Sequence, residues 1–253
     1  MFPLIKIGPL SIPSRGLILL LGLWLALSLC DHLLKRAKNP AIRAEAIFNL
    51  ATIALIVGLI GARLAYAARH PGAFIDQPLA LILPTGQMLD AETGLLFGIL
   101  TALIYIQRKG LPFWATLDSL TPGLALLAIA IPLADLAAGT AYGAPTTLPW
   151  GIWLWNDFRH PSQVYALLAG VVLLVVSWPR GTSAPDGRRF LTFAALSCAL
   201  RLILETWRGD SILLTGSIRL WQVLAWLGML ASLWLLEQKR RSTDATRPPD
   251  AGR

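Results

Sequence analysis

Residues 16–34, GLILLLGLWLALSLCDHLL, and 46–66, AIFNLATIALIVGLIGARLAY, are almost unbroken apolar runs, and a basic cluster separates them. A helix needs ~20 such residues to cross the hydrocarbon core of a bilayer. Five more stretches share this character: 94–106, 113–136, 164–178, 190–207 and 218–236. The third and fifth of the seven are short, so their ends are expected to reach into polar neighbours. Because the apolar residues come in runs rather than in alternation, the expected fold is an all-α integral membrane protein. Only a helix satisfies its own backbone where lipid offers no partner. The chain reads as a seven-transmembrane-helix bundle over 1–237, with long extracytoplasmic loops, and a polar, Pro-containing tail over 238–253 that is expected to be disordered.

Composition agrees. Of 253 residues 55% are hydrophobic and 14% charged, against about 25% charged in an ordinary soluble domain. Basic residues follow the odd-numbered spans: Lys35, Arg36, Lys38 and Arg43, then Arg108 and Lys109, then Arg180, Arg188 and Arg189, then five in the tail. The other side holds Lys6, Arg15, Arg69, Arg159, Arg208 and Arg219. This bias predicts an outside N-terminus and a cytoplasmic C-terminus. The segment 1–14 lacks the basic start, apolar core and small-residue site of a cleavable leader, so insertion is expected to rely on the spans.

The net charge of +8 does not signify nucleic acid, because Lys and Arg are not clustered with aromatics on one face. Cys30 and Cys198 lie in apolar runs, with neither a disulfide framework nor a metal pattern. No cofactor motif is present. The long outer connections, 67–93 and 137–163, place the working surface outside.

Charges within or beside spans need partners or a purpose, at a cost of ~2.5–3.5 kcal/mol each at a helix centre. Arg201, Glu205 and Arg208, spaced four and three apart, fall on one helical face. Such a stripe suits either an anionic lipid headgroup or a structural ion-pair ladder. Arg63, followed by Tyr66, reads as a snorkelling cation, Asp135 as an acid at the outer end of the fourth span, and Asp118 as an anion at that helix's own N-terminus. Arg159-His160-Pro161-Ser162-Gln163-Val164-Tyr165 opens the fifth span. Pro161 suits a first helical turn, and His160 reads as a hydrogen-bonded structural group rather than a proton shuttle.

The segment RHPSQVY at 159–165 resembles the RHPSQLYE motif of the prolipoprotein diacylglyceryl transferases, and GAPTTLPW at 143–150 is similar to the stretch preceding it in that family. Further likenesses are Ile7-Gly8-Pro9-Leu10 to the family's IGP start, 61–66 to its GGR-x-GY element, 201–208 to its FR-x-x-x-E-x-x-R element, and Gln222 to a Gln at the seventh helix. The resemblance covers nearly the whole chain. It implies transfer of diacylglyceryl from phosphatidylglycerol, or another anionic phospholipid, to the lipobox cysteine of a preprolipoprotein in the bacterial plasma membrane. Glycerol phosphate is released. That chemistry needs a cationic clamp on the phosphate, help in forming the thiolate and an opening to the bilayer. Arg63, Arg201 and Arg208 are the implied clamp and Glu205 its orienting group, with Tyr66, Asp135, Gly139, Arg159, His160, Ser162, Gln163 and Tyr165 around the lipid.

Several positions depart from the family pattern. Its His-Gly-Gly-Leu is Glu92-Thr93-Gly94-Leu95 here; the G-R-x-x-N-F-x-N-G-E signature falls with Pro132 for Arg, Asp135 for Asn, Ala138 for the second Asn and Thr140 for Glu, keeping only Gly139. A family Tyr near the first helix is Arg15, the last Glu of RHPSQLYE is Ala166, and the Tyr before the sixth-helix Arg is Ser197. Two readings follow. In an active, diverged transferase, a partly buried Glu92 replaces the His as base and Arg15 restores the lost charge. In the other, a non-catalytic relative binds anionic phospholipid or lipoprotein.

Overall fold

In the computed structural model, residues 4–7, 10–37, 42–75, 89–180, 185–209, 211, 213–215 and 218–245 are described. Helices dominate: α1 (Ser14–Ala37), α2 (Ala44–Arg69), the one-turn α3 (Gly72–Ile75), α4 (Ala91–Arg108), α5 (Phe113–Ala138), α6 (Ser162–Ser177), α7 (Arg188–Glu205) and α8 (Leu220–Ala245). The seven longer helices lie at the seven apolar stretches. Among the described residues four of them, α1, α2, α5 and Leu220–Ser242 of α8, are long and apolar enough to cross a membrane. The helix α6 is apolar but shorter. The helices α4 and α7, each of 18 residues, carry Glu92 and Arg108, and Arg188, Arg189, Arg201 and Glu205 respectively. Bulky apolar side chains such as Leu20, Trp24, Leu95, Leu168, Trp226 and Trp234 are exposed, as expected where the outer solvent is lipid.

Among the described residues, three two-stranded antiparallel ribbons accompany the helices: β1 (Leu4–Ile7) with β2 (Leu10–Pro13) ahead of α1, β3 (Ile152–Leu154) with β4 (Asp157–Arg159), and β5 (Leu213–Thr215) with β6 (Ile218–Arg219). The all-helical expectation omitted them. They are two to four residues per strand and pair backbone groups that a connection would otherwise leave unsatisfied. At the other end of the chain, α8 continues past Glu237 to Ala245, with Arg241 bonded to Glu237 one turn earlier at 2.9 Å. Part of the expected tail is therefore helix, and 246–253 lie outside the described residues.

The chain divides into two compact units, Met1–Leu29 with Leu117–Arg253, and Cys30–Thr116. In the first, α7 packs along α8 and α6 along α7. Two prolines inside α5, Pro122 and Pro132, lack the N–H that would bond the carbonyl four residues back. Arg189 Nη1 serves the first orphan, Asp118 O, at 3.5 Å. Gly170 of α6 lies against the second, Ala128 O, so closely that a Cβ would collide. Asp118, 2% exposed, accepts from the backbone N–H of Gly187 at 2.7 Å and of Phe190 at 2.8 Å. It is a helix-terminal anion as expected, but for α7 rather than its own helix, because an N-terminus needs an acceptor from wherever packing supplies one.

In the second unit α2 packs on α4 through small residues. A Cβ on Gly94 would stand 2.7 Å from that of Ala62, and one on Gly58 2.9 Å from Gly94 O. This close backbone approach is the usual mode of helix association in lipid.

Candidate functional site

The site in the first unit starts where α5 stops. Gly139 has φ +72°, and two reversed bonds close the helix, Gly139 N–H to Leu136 O at 3.4 Å and Thr140 N–H to Asp135 O at 3.0 Å. This is a Schellman ending, which favours glycine at the left-handed position. It explains why Gly139 persists when its signature neighbours do not. The turn also fixes Asp135, whose Oδ1 accepts from Thr140 Oγ1 at 3.0 Å and pairs with Arg15 Nη2 at 3.0 Å.

From Thr140 the chain is tied between the ends of α7 and α6. Ala144 N–H donates to Trp207 O at 2.8 Å, Gly209 N–H to Tyr142 O at 3.1 Å, and His160 N–H to Ala144 O at 3.0 Å. Gly143 is required at this crossing, since a Cβ there would run into the backbone of His160. Side chains of RHPSQVY complete the suture. Arg159 Nη1 donates to Gly143 O at 3.3 Å, Ser162 Oγ to Ala141 O at 2.8 Å, and Gln163 Nε2 to Thr140 O at 2.8 Å. Arg159 also donates to Leu154 O and lies over the Tyr142 ring. His160 Nδ1 bonds Tyr165 Oη at 3.4 Å, and that hydroxyl accepts from Trp150 Nε1 at 2.8 Å. His160 is thus the hydrogen-bonded group anticipated, and Arg159 is occupied in holding the loop.

Glu205 ends α7 and is 0% exposed. Its Oε2 pairs with Arg201 Nε at 3.0 Å, and its Oε1 accepts from Ser211 Oγ at 2.7 Å. A buried carboxylate needs this degree of compensation. Arg219, the last residue of β6, donates through Nη1 to Ser211 Oγ at 3.0 Å, to Arg208 O at 2.8 Å and to Glu205 O. Arg201 lies over the Trp221 ring at 5.5 Å. Arg208 is not on the helix: α7 has ended, and residue 208 forms an isolated bridge with Gly143. The single helical face expected for Arg201, Glu205 and Arg208 is therefore broken by a turn.

Even so, Arg201 and Arg208 share a cavity of about 200 Å³, lined also by Asp135, Ser162 and Gln163. Pro132 and Ala166, which stand where the family pattern has Arg and Glu, line the same space. Relative to that pattern, one positive and one negative group are thus missing together from the cavity lining. A second exchange is also matched, because Arg15 and Asp135 stand at the positions of a Tyr and an Asn and form an ion pair. Arg201 and Arg208 line the cavity, Arg15 pairs with Asp135 and Arg201 with Glu205, so three guanidiniums stand with two carboxylates and the surroundings are net cationic. An anion is the complementary occupant.

Three expected site residues belong to the second unit. Arg63 lies 5.5 Å from the Phe74 ring centroid, and Tyr66 stacks on His70 with centroids 4.4 Å apart. Glu92 is exposed in the first turn of α4, so the burial that a base role required is missing. The sheltered acid there is Asp90, whose Oδ1 caps α4 by accepting from Thr93 N–H at 3.0 Å and whose carboxylate pairs with Arg69. The Thr93 N–H, aided by the Arg69 charge, holds its carboxyl below the usual range against the opposing effect of burial.

The structure thus gathers Asp135, Ser162, Gln163, Arg201 and Arg208 at one cavity, with Gly139, Arg159, His160, Tyr165 and Glu205 as its frame. Sequence reasoning missed Ser211, Arg219 and Trp221. Their only signal was that a buried Glu205 needs more donors than Arg201 supplies. Among the described residues no cluster of His, Cys, Asp or Glu could hold a metal ion.

A family model described as prolipoprotein diacylglyceryl transferase matches residues 3–237. Curated relatives called phosphatidylglycerol–prolipoprotein diacylglyceryl transferase include that of Synechococcus elongatus, 27% identical over 98% of this chain and 92% of its own. Those of Clostridioides difficile (28%, covering 79% and 81%) and Thermus thermophilus (29%, covering 80% and 81%) are further examples.

Proposed function

Since the chain belongs to the prolipoprotein diacylglyceryl transferase family, we propose that it moves diacylglyceryl from an anionic phospholipid, phosphatidylglycerol by the names of its relatives, to the lipobox thiol of a preprolipoprotein. The observation that carries this reading is the cavity bearing both Arg201 and Arg208. In the reaction the thiolate sulfur bonds to the terminal glyceryl carbon of the diacylglycerol, and the bond from that carbon to the phosphate oxygen breaks. The electron pair leaves with glycerol phosphate. Negative charge grows on the departing phosphate, so guanidinium donors held in place beforehand lower the barrier. Arg201 and Arg208 take that role. Glu205, whose Oε1 accepts from Ser211 Oγ, is the positioning residue that holds the Arg201 guanidinium through Nε. Glu92, exposed and in the other unit, is given no part in this step.

The same reading makes the protein a seven-pass component of the bacterial inner membrane, with the N-terminus outside, the C-terminus cytoplasmic and the signal peptide of a lipoprotein precursor as its protein partner. Apolar spans and the distribution of Lys and Arg support it.

Pro132 and Ala166 on the cavity wall favour a second reading, a relative that binds the lipid without turning it over. Expression in a bacterium depleted of its own transferase separates the two. Transfer predicts growth and a diacylglyceryl mass increment on a reporter lipoprotein. Membrane-localised protein with an unmodified reporter would leave only the binding role.

A further inference from the structure

The cavity has two chemically different sides. Arg201 and Arg208 bring only donors. Ser162, Gln163 and Asp135 present the reverse, because of where their donors are used. Ser162 Oγ gives its proton to Ala141 O at 2.8 Å, and Gln163 Nε2 gives one to Thr140 O at 2.8 Å. The carbonyl at 140 can only accept, so it fixes which end of the Gln163 amide faces it and leaves Oε1 as the other end. That oxygen is buried in a side chain only 2% exposed, and it has no hydrogen-bond partner among the described residues. On Asp135 the bonds from Thr140 Oγ1 and Arg15, among the described residues, fall on Oδ1, so Oδ2 remains an acceptor. Buried acceptors are rarely left unmatched. A ligand that fits must present an anion to the arginines and hydrogen-bond donors to the other side.

The donors can be neutral. Asp135 already has Arg15 as counter-ion at 3.0 Å, and the acceptors at 162 and 163 are uncharged, so no second cation is called for. We propose that Gln163, Ser162 and Asp135 form a headgroup-reading surface that selects an anionic phospholipid by the hydroxyl groups beyond its phosphate, with Arg15 cancelling the Asp135 charge so that the phosphate is not repelled. This rests on the lipid-binding part of the proposed function and assigns specificity to residues outside the arginine pair.

The test measures binding of phosphatidylglycerol, phosphatidylpropanol and phosphatidylethanolamine to the full-length protein in nanodiscs. The first two share charge and chain but differ in headgroup hydroxyls. Leaving the acceptors unpaired is expected to weaken phosphatidylpropanol roughly tenfold or more relative to phosphatidylglycerol. Gln163→Leu should shrink that ratio, and Ser162→Ala carries the same comparison should the first variant not fold. Equal binding of the two anionic lipids by the unaltered protein, or an unchanged ratio in the variants, would overturn the assignment while leaving the transferase reading in place. Preference for phosphatidylethanolamine would overturn it in favour of an ammonium headgroup. Binding of none of the three would remove the lipid site as well.

Discussion

Arg15 and Asp135 show how a single contact can change the charge of a site without changing its sum. Removing Arg15 leaves the Asp135 carboxylate beside an anion-binding space, so Arg15→Ala should weaken phosphatidylglycerol binding. Arg15 is 53% exposed on its side chain, which limits the effect to roughly two- to fivefold. Arg15→Ala combined with Asp135→Asn should recover most of that loss. A double variant weaker than the single one would show that the pair serves packing instead. Gly139 offers a different single-residue test. At φ +72° an alanine is strained by about 1–2 kcal/mol, so Gly139→Ala should lower the apparent Tm in detergent by several degrees. The Arg201–Glu205 pairing was legible in the sequence, since four-residue spacing on a helix is a local property. Arg208 falls off that helix, because α7 ends where the segment 142–144 bonds residues 207–209, and no local signal reports a long-range bridge. Arg15 was suspected from the resemblance alone; its pairing joins the start of α1 to the end of α5, a register that no spacing rule contains.

Among the elements, α7 depends on a neighbour for its N-terminus. Asp118 satisfies two backbone N–H groups there, and each such group left buried and unpaired costs about 1–3 kcal/mol. Asp118→Ala should therefore destabilise the protein strongly and Asp118→Asn less, read from thermal unfolding in one detergent. In the other unit, Asp90 caps α4 with its carboxyl held below the ordinary value of 3.8. A lowered folded-state value means that the stabilisation is present above pH 3.8 and is lost as pH falls below it. The Tm difference between the unaltered protein and Asp90→Ala should hold near neutrality and shrink on acidification through that range. A difference independent of pH would contradict the charged cap. The seven helices were readable from apolar runs of the right length. The ribbons were not, because strands of two to four residues carry too little alternation to register against apolar neighbours, and the acid that caps α7 lies 69 residues from the glycine it serves.

For the whole molecule, the proposed orientation rests on the distribution of Lys and Arg. Single cysteines introduced near residues 70 and 145, in a background lacking Cys30 and Cys198, should react with an impermeant thiol reagent in intact spheroplasts. Those near 109 and 240 should react only after lysis. The reverse pattern would invert the topology and place the arginine-lined cavity on the cytoplasmic side. On the expected topology, the proposed chemistry has the paired guanidiniums of Arg201 and Arg208 hold a phospholipid phosphate while its diacylglyceryl group leaves. The most direct measurement reconstitutes the purified protein in phosphatidylglycerol vesicles with a synthetic lipobox peptide and follows peptide mass and released glycerol phosphate together. The expected result is one diacylglyceryl adduct for each glycerol phosphate, with both lost in Arg201→Ala and in Arg208→Ala. Undiminished turnover in either variant, or no adduct from the unaltered protein, would contradict it.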